Sequence, residues 1–131
     1  MTKILVIPDC QIKPGVSLDY LKCIGNYIVE KQPDVVVQIG DFADLSSLSS
    51  YDIGTKAFEG RRYKSDIAVV HAGMETLLSP LRTYQKSQKR HKTKCYSPRL
   101  VLTLGNHCER INKAVNKDAK LEGVISLADL R

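Results

Sequence analysis

The chain has 131 residues, of which 43% are hydrophobic and 26% are charged, and this balance indicates one globular domain with a single core. Its longest apolar runs are only about five residues, far short of the roughly 20 that cross a bilayer, so no transmembrane segment is predicted and no membrane partner is expected. The formal net charge of +6 favours a polyanionic partner such as nucleic acid.

The first half of the chain is predicted to form a strand, a helix and a second strand. The apolar run at residues 3–8 is too short for a signal peptide and lacks a cleavage site, so we expect a buried strand. A helix is expected to about Lys31, with Ser17 or Asp19 able to cap its start. Pro33 ends this helix, and residues 35–39 form a second strand whose continuous apolar character indicates burial on both faces.

The second half is predicted to repeat this alternation. Residues 46–60 form a connection rich in serine and glycine, and a helix follows from about Arg62 to Tyr84. The apolar stripe of that helix is Ile67, Val70, Met74, Leu77, Leu78 and Leu81. We expect a polar loop over residues 86–98, a third strand over 99–104, and another helix that starts with residues 109–115. The tail from 120 to 131 is predicted to be helical, with Ser126 able to cap it.

Strands separated by helices predict an α/β fold with a mostly parallel sheet, right-handed crossovers and flanking helices. Ligands of such sheets bind at the carboxyl ends of the strands. Polar side chains follow all three predicted strands, and they are Asp9, Gln11, Asp41, Asp44, Asn106 and His107. These six residues are therefore the candidate site.

Three short segments follow the three strands in order: Asp9-Cys10-Gln11, Gly40-Asp41-Phe42-Ala43-Asp44 and Gly105-Asn106-His107. They resemble the DxH, GDxxD and GNH motifs of the calcineurin-like metallophosphoesterases, a family that includes nucleases of the phage and DNA-repair type. The resemblance covers nearly the whole chain. It implies a single domain over residues 1–131 that forms the first half of a metallophosphoesterase sandwich and is incomplete at its C-terminus.

The chain departs from the resembled pattern at three points. Gln11 stands where the family usually has a histidine, Cys108 stands where an acid usually follows, and the later histidine motifs are not in this sequence. The resemblance therefore implies either that this sequence is a truncated or split piece of the domain, or that self-association or a partner chain completes the fold. We expect the isolated chain to have little or no turnover.

The resemblance implies two divalent ions, with Mn²⁺ expected first and Fe, Zn, Mg or Ni also compatible. The implied ligands are Asp9, Gln11, Asp41 and Asn106. Aspartate at a strand end is short enough to bridge two ions, which makes Asp41 the candidate bridge. Asp9 and Gln11 are two residues apart and would share one face of a regular strand. The structural alternatives are that Asp41 caps a turn, that Asp9 is a helix N-cap, and that Asn106 fills a left-handed backbone position.

His107 is the candidate catalytic residue, since an imidazole beyond the ions can stabilise charge on phosphorus or protonate a leaving oxygen. Asp44 could hold its ring in the required tautomer. Candidate phosphate contacts are Arg110, which could instead form a surface salt bridge, and Lys89, Arg90 and Lys92 of a basic stretch. The alternative for that stretch is a solvated loop, because it lacks interleaved aromatic residues.

The four cysteines have no Cys-x-x-Cys spacing, so neither a zinc knuckle nor a disulfide framework is indicated. Free thiols are typical of a cytoplasmic protein. Cys10 and Cys108 flank the candidate site, where each is interpreted as a small apolar filler. Two functions remain: a metal-dependent phosphoesterase acting on phosphodiesters of nucleic acid or nucleotides, and a non-catalytic phosphate or nucleic-acid binding domain with an incomplete metal site.

Overall fold

The computed structural model describes residues 1–56 and 60–130. Three strands, β1 (Ile4–Ile7), β2 (Val35–Gln38) and β3 (Arg99–Leu102), form one parallel sheet in the order β1-β2-β3. In the register, Ile4 pairs with Val35 and Val35 pairs with Arg99. The predicted α/β class is confirmed, and each predicted strand is present in a shorter form.

Three α-helices connect and follow the strands: α1 (Asp19–Lys31), α2 (Tyr63–Arg90) and α3 (Arg110–Lys117). Helices α1 and α2 pack on each other and on the same face of the sheet, where Ile28 and Leu77 meet Val36. This is the arrangement expected when two successive right-handed crossovers move along a sheet in one direction. The predicted apolar stripe of α2 faces this core.

Two glycines allow α1 and α2 to approach closely. A Cβ atom at Gly73 in α2 would lie 3.2 Å from Leu21 Cδ1 in α1, and one at Gly25 in α1 would lie 3.0 Å from Pro80 Cγ in α2. Either contact is shorter than packed atoms tolerate, so a larger residue would push the helices apart. The core therefore depends on small residues as well as on the apolar stripes.

Helix α2 is longer than the sequence predicted, because it continues beyond Tyr84 to Arg90. The prediction of a loop is therefore wrong for residues 86–90, which form the last helical turns. Lysine, glutamine and arginine are good helix formers, and cations near a helix C-terminus interact favourably with its dipole. Both effects favour helix in this basic stretch.

The predicted helix caps and the predicted helical tail differ from the structure. Leu18 is the N-cap residue of α1 and has no side-chain capping bond, while Ser17 Oγ accepts a hydrogen bond from the Asp19 amide at 3.2 Å. The tail contains two short 3-10 turns, Ala119–Leu121 and Leu127–Leu130, instead of a helix. At the second turn the Asp129 carboxylate accepts from the Ser126 amide. Residues 57–59 of the predicted connection and residue 131 of the predicted tail lie outside the described residues.

The opposite face of the sheet carries apolar side chains that no helix of the described ranges covers. Ile4, Val6 and Ile39 are 60%, 52% and 52% exposed, and Val35 and Val37 are half-buried. The prediction that β2 is buried on both faces is therefore wrong, because both crossover helices lie on one side. Within the described part of the chain, no helix combines the length and the hydropathy needed to cross a membrane.

Candidate functional site

The loop after β1 is hydrogen-bonded to the loop after β2 at the carboxyl edge of the sheet. The carbonyl oxygen of Asp41 accepts from the amides of Gln11, at 2.9 Å, and Cys10, at 3.2 Å. Ile12 then donates its amide to Phe42 at 2.9 Å and accepts from the Asp44 amide at 3.0 Å. The first two segments of the predicted site are thus fixed to each other by backbone bonds.

The loop after β3 joins this pair through two glycines. A Cβ atom at Gly40, whose φ is +115°, would lie 3.2 Å from the Gly105 Cα atom. A Cβ atom at Gly105 would lie 2.6 Å from Asp41 Cγ, so the Asp41 carboxylate occupies the space that any side chain at Gly105 would need. The His107 amide donates to Asp41 Oδ1 at 2.8 Å. Asp41 is only 9% exposed, and it links the second and third segments.

Two of the four predicted metal ligands have left-handed backbone conformations. Gln11 has φ of 47° and Asp41 has φ of 52°, a region that costs free energy for a residue with a Cβ atom. One structural alternative placed Asn106 in a left-handed backbone conformation. Asp41 has that conformation, and Asn106 does not. The argument that Asp9 and Gln11 share one face of a regular strand is wrong, because β1 ends at Ile7.

Asp41 has part of the capping role that its structural alternative proposed. Its carboxylate does cap a backbone amide, but that amide belongs to His107 in another loop. Asp9 lies in the loop after β1, outside any helix N-cap position of the described chain. Asp9, Gln11 and Asn106 are exposed at the same edge of the sheet.

The structure places His107 against Asp44. His107 Nδ1 lies 2.9 Å from the carbonyl oxygen of Asp44 and 3.2 Å from its Oδ1 atom, and both side chains are mostly buried. Arg110 Nη1 donates to the same carbonyl oxygen at 3.0 Å. When Nδ1 carries the proton and donates to Asp44, Nε2 is the ring nitrogen that can accept or deliver a proton.

Two buried polar residues that organise the site were not singled out from the sequence. Gln38 is 4% exposed; its Nε2 donates to the carbonyl oxygens of Pro8 and Gly40, and its Oε1 accepts from the Gly40 amide at 2.8 Å. Asp66 is 2% exposed and accepts from the Ser47 amide at 2.9 Å. A signal existed for both: each is a polar residue at a core position, of a strand in one case and of a helix in the other.

The predicted metal ligands supply two carboxylates and two amide oxygens, which are donors that suit hard divalent ions. Over residues 1–56 and 60–130, no group of three or more histidine, cysteine, aspartate or glutamate side chains could hold a metal ion. The oxygen donors of these four residues therefore suit a divalent ion, but they supply only part of the coordination that two ions need. His71 and His91 do not add to it, because their rings contact the carbonyl oxygens of Asp129 and Ser87.

The two cysteines beside the site, Cys10 and Cys108, lie in environments that suit small apolar side chains. Burial raises the pKa of the Cys10 thiol, and the nearby charge of Asp9 raises it further. A thiol with a raised pKa stays protonated at neutral pH and is a poor nucleophile. Cys108 is 3% exposed within the core.

Two clefts open beside the candidate site and meet at Arg110. The first, of about 670 Å³, is lined by Asn106, His107, part of α3 and the serines that follow Leu45. The second, of about 580 Å³, is lined by Asp44, Arg61 and Arg62 among others. The predicted phosphate contact Arg110 therefore lies beside His107.

The other predicted phosphate contacts lie elsewhere. Lys89 and Arg90 are on the last turn of α2 and Lys92 follows it, on the chain that leads to the start of β3. Helix α2 has 28 residues and is therefore about 42 Å long. Its first turns contact the serines beside the site through Asp66, so the basic end is far from Arg110.

Comparison with known proteins gives one partial similarity. Over 64 residues the chain is 44% identical to the "Gene 54 protein" of Mycobacterium phage L5. The matched stretch is 49% of this chain and 25% of that protein, so the match spans about a quarter of the relative's length. No protein-family profile and no solved structure matches the chain.

Proposed function

We propose that this chain carries part of the active site of a divalent-metal-dependent phosphoesterase that hydrolyses phosphodiesters of nucleic acid or nucleotides. The observation that carries the proposal is the contact between the three loops. The Asp41 carboxylate fills the space beside Gly105 and accepts from the His107 amide, while the His107 ring contacts Asp44. A carboxylate and an imidazole are thus fixed side by side at the edge where α/β sheets bind ligands.

Each residue has a proposed role. Asp9, Gln11, Asp41 and Asn106 would hold the ions, which we take to be two, with Mn²⁺ the first expected. When bound, such ions supply a nucleophilic water at neutral pH and neutralise phosphate charge. His107 stabilises the developing charge or protonates the leaving oxygen through Nε2, and Asp44 orients the ring. Arg110 contacts a non-bridging phosphate oxygen from the wall between the two clefts.

Calorimetric titration with inorganic phosphate, in the presence and absence of Mn²⁺, tests this function. We expect Mn²⁺ to raise the phosphate affinity by about tenfold or more, since charge-assisted contacts to an ion add at least about 1.4 kcal/mol. Asn106→Ala should remove this gain, whereas Lys22→Ala, an exposed change on α1, should keep it. Equal phosphate affinity with and without Mn²⁺ would contradict a metal-dependent function.

A non-catalytic phosphate or nucleic-acid binding domain is the second candidate. It is favoured by the partial metal-donor set together with a cleft that carries basic side chains. Metal-independent phosphate binding that Arg110→Ala weakens would support this candidate over the enzyme. The four free cysteines support a reducing, cytoplasmic location for either function.

A further inference from the structure

We propose that the first cleft, between α3 and the serine loop of residues 46–50, binds a single-stranded segment of nucleic acid and leads it to His107. This inference names the substrate of the phosphoesterase proposed above and rests on that function for its catalytic meaning. The binding itself is carried by features of the cleft that do not involve the metal ligands.

The charge of the cleft has one sign. Three basic side chains, Arg110, Lys113 and Lys117, line it, and no carboxylate is found among its described lining residues. Spacings of three and four residues place all three on one side of α3, while Ile111 on the other side is fully buried in the core. From Arg110 to Lys117 the helix rises about 10 Å, which matches about three nucleotides of a stacked strand at 3.4 Å each.

The opposite wall is held rigidly and presents hydroxyl groups. The buried Asp66 carboxylate accepts from the Ser47 amide, and Arg61 Nη1 donates to the Ser46 carbonyl oxygen at 3.0 Å. Ser47 Oγ is buried and has no hydrogen-bond partner among the described residues, although Ser47 lines the cleft. This hydroxyl is closed off from the cleft, and the exposed Ser50 is the serine of this wall that faces the solvent.

An exposed aromatic ring marks the substrate as nucleic acid with unpaired bases. Tyr51 lines the cleft and is 88% exposed, next to Ile53, which is 66% exposed. Basic grooves combined with aromatic rings on which bases stack are the recurring design of single-strand binding sites. A duplex offers only its backbone to such a cleft, because its bases are already stacked and paired.

Fluorescence anisotropy with a labelled oligo(dT) of about ten nucleotides, measured over a range of salt without added metal, tests the cleft. Lys113→Ala/Lys117→Ala should weaken binding and lower the log-log salt slope by about 1.4, because each lost phosphate contact removes about 0.7 for a single strand. Tyr51→Ala should weaken binding by about 5- to 150-fold with an unchanged slope, since stacking involves no counterion release. Lys22→Ala/Lys31→Ala removes two exposed charges on α1 and should keep both quantities.

Other outcomes overturn the proposal. An unchanged slope in the cleft variant, or an equal loss in the α1 control, would show that bulk charge alone is responsible. Competition by duplex DNA or polyglutamate as strong as that by oligo(dT) would show a general polyanion surface. Oligo(dT) binding is measured without metal and Mn²⁺ binding without oligo(dT), so a failure of metal binding and a failure of this cleft are separate results.

Discussion

At the scale of single residues, the absence of a side chain at Gly105 decides where the Asp41 carboxylate lies. Gly105 does not have the positive φ that usually explains a glycine, so its constraint is one of space. Asp41 itself has the left-handed φ, and its neighbours in the loops after β1 and β3 hold it there through three hydrogen bonds. The missing side chain of Gly105 leaves space for the Asp41 carboxylate, and the carboxylate fills that space.

We expect Gly105→Ala to lower the free energy of unfolding by about 1 to 3 kcal/mol, the usual cost of forcing an extra methyl group into a packed site. Urea unfolding followed by circular dichroism would measure the change. In an Asp41→Gly background the same substitution should cost less, because the carboxylate that it meets is gone. The same cost in both backgrounds would contradict the clash with Asp41.

The sequence predicted which side chains meet at the edge of the sheet better than it predicted their conformations. The contact between Asp44 and His107 was predicted from their positions after strands, and the structure has it. The left-handed conformation of Asp41 was not predicted, because it depends on hydrogen bonds between loops that are about 30 and 65 residues apart along the chain. The role of the buried Gln38 amide was missed because its partner Pro8, 30 residues away along the chain, becomes a neighbour only in the folded sheet.

At the scale of elements, the Asp129 carboxylate attaches the turn Leu127–Leu130 to the start of α2, in addition to the contact of the His71 ring with the Asp129 carbonyl oxygen. Tyr63 donates its hydroxyl to Asp129 Oδ2 at 2.7 Å, and the Ser126 amide donates to the same oxygen at 2.9 Å. These hydrogen bonds hold the pKa of Asp129 below its ordinary value, and the bond from Tyr63 has the larger effect. Burial raises the pKa of Tyr63 well above its usual range, and the hydrogen bond to Asp129 raises it further.

This attachment should make stability depend on pH in a defined direction. A carboxyl group with a lowered folded-state pKa stabilises the fold above its unfolded pKa, and the contribution is lost as pH falls through the folded pKa. Asp129→Asn should therefore lower the urea midpoint at pH 7 and lower it less at about pH 3. Glu122→Gln, an exposed change in the same tail, should leave the midpoint unchanged. A deficit for Asp129→Asn that is as large at acidic pH would exclude the carboxylate as its cause.

Element boundaries were predicted well where packing and local signals agree. Helix α1 ends at Lys31, directly before Gln32 and Pro33, as the sequence indicated. Helix α2 outlasts its apolar stripe, because the residues after Tyr84 favour helix even without a buried face. For the tail, the sequence predicted more helix than the structure has. Its residue pattern is helical, but Gly123, with φ of 78°, breaks it into short turns.

At the scale of the whole molecule, the sheet has one covered and one open face. The apolar run of β2 predicted burial on both faces, but the run alone does not say on which side of the sheet the crossover helices lie. The open face bears Ile4, Val6 and Ile39, all more than half exposed. Contiguous apolar surface of this kind is typical of an interface, and self-association or a partner chain that covers this face stays a prediction.

We expect the open face to bind the dye ANS and to promote self-association at higher protein concentration. Val6→Lys should reduce both effects while the circular dichroism spectrum stays unchanged. Val124→Lys is the matched control, since Val124 is 68% exposed in the tail. Dye fluorescence and gel filtration with light scattering would measure the two quantities. Equal reduction by both variants would show that net charge, and not the open face, controls association.

The proposed function depends most on a divalent-metal site formed by Asp41 with Asp9, Gln11 and Asn106. Calorimetric titration with Mn²⁺ tests it directly. We expect Asp41→Asn to weaken binding more than a single substitution at any of the other three ligands, because Asp41 is the only one of the four that is nearly buried and fixed by both neighbouring loops. Glu30→Gln, at the other end of the sheet, should bind like the wild type. Equal Mn²⁺ affinity for the wild type and Asp41→Asn would contradict the account and remove Asp41 from any metal site.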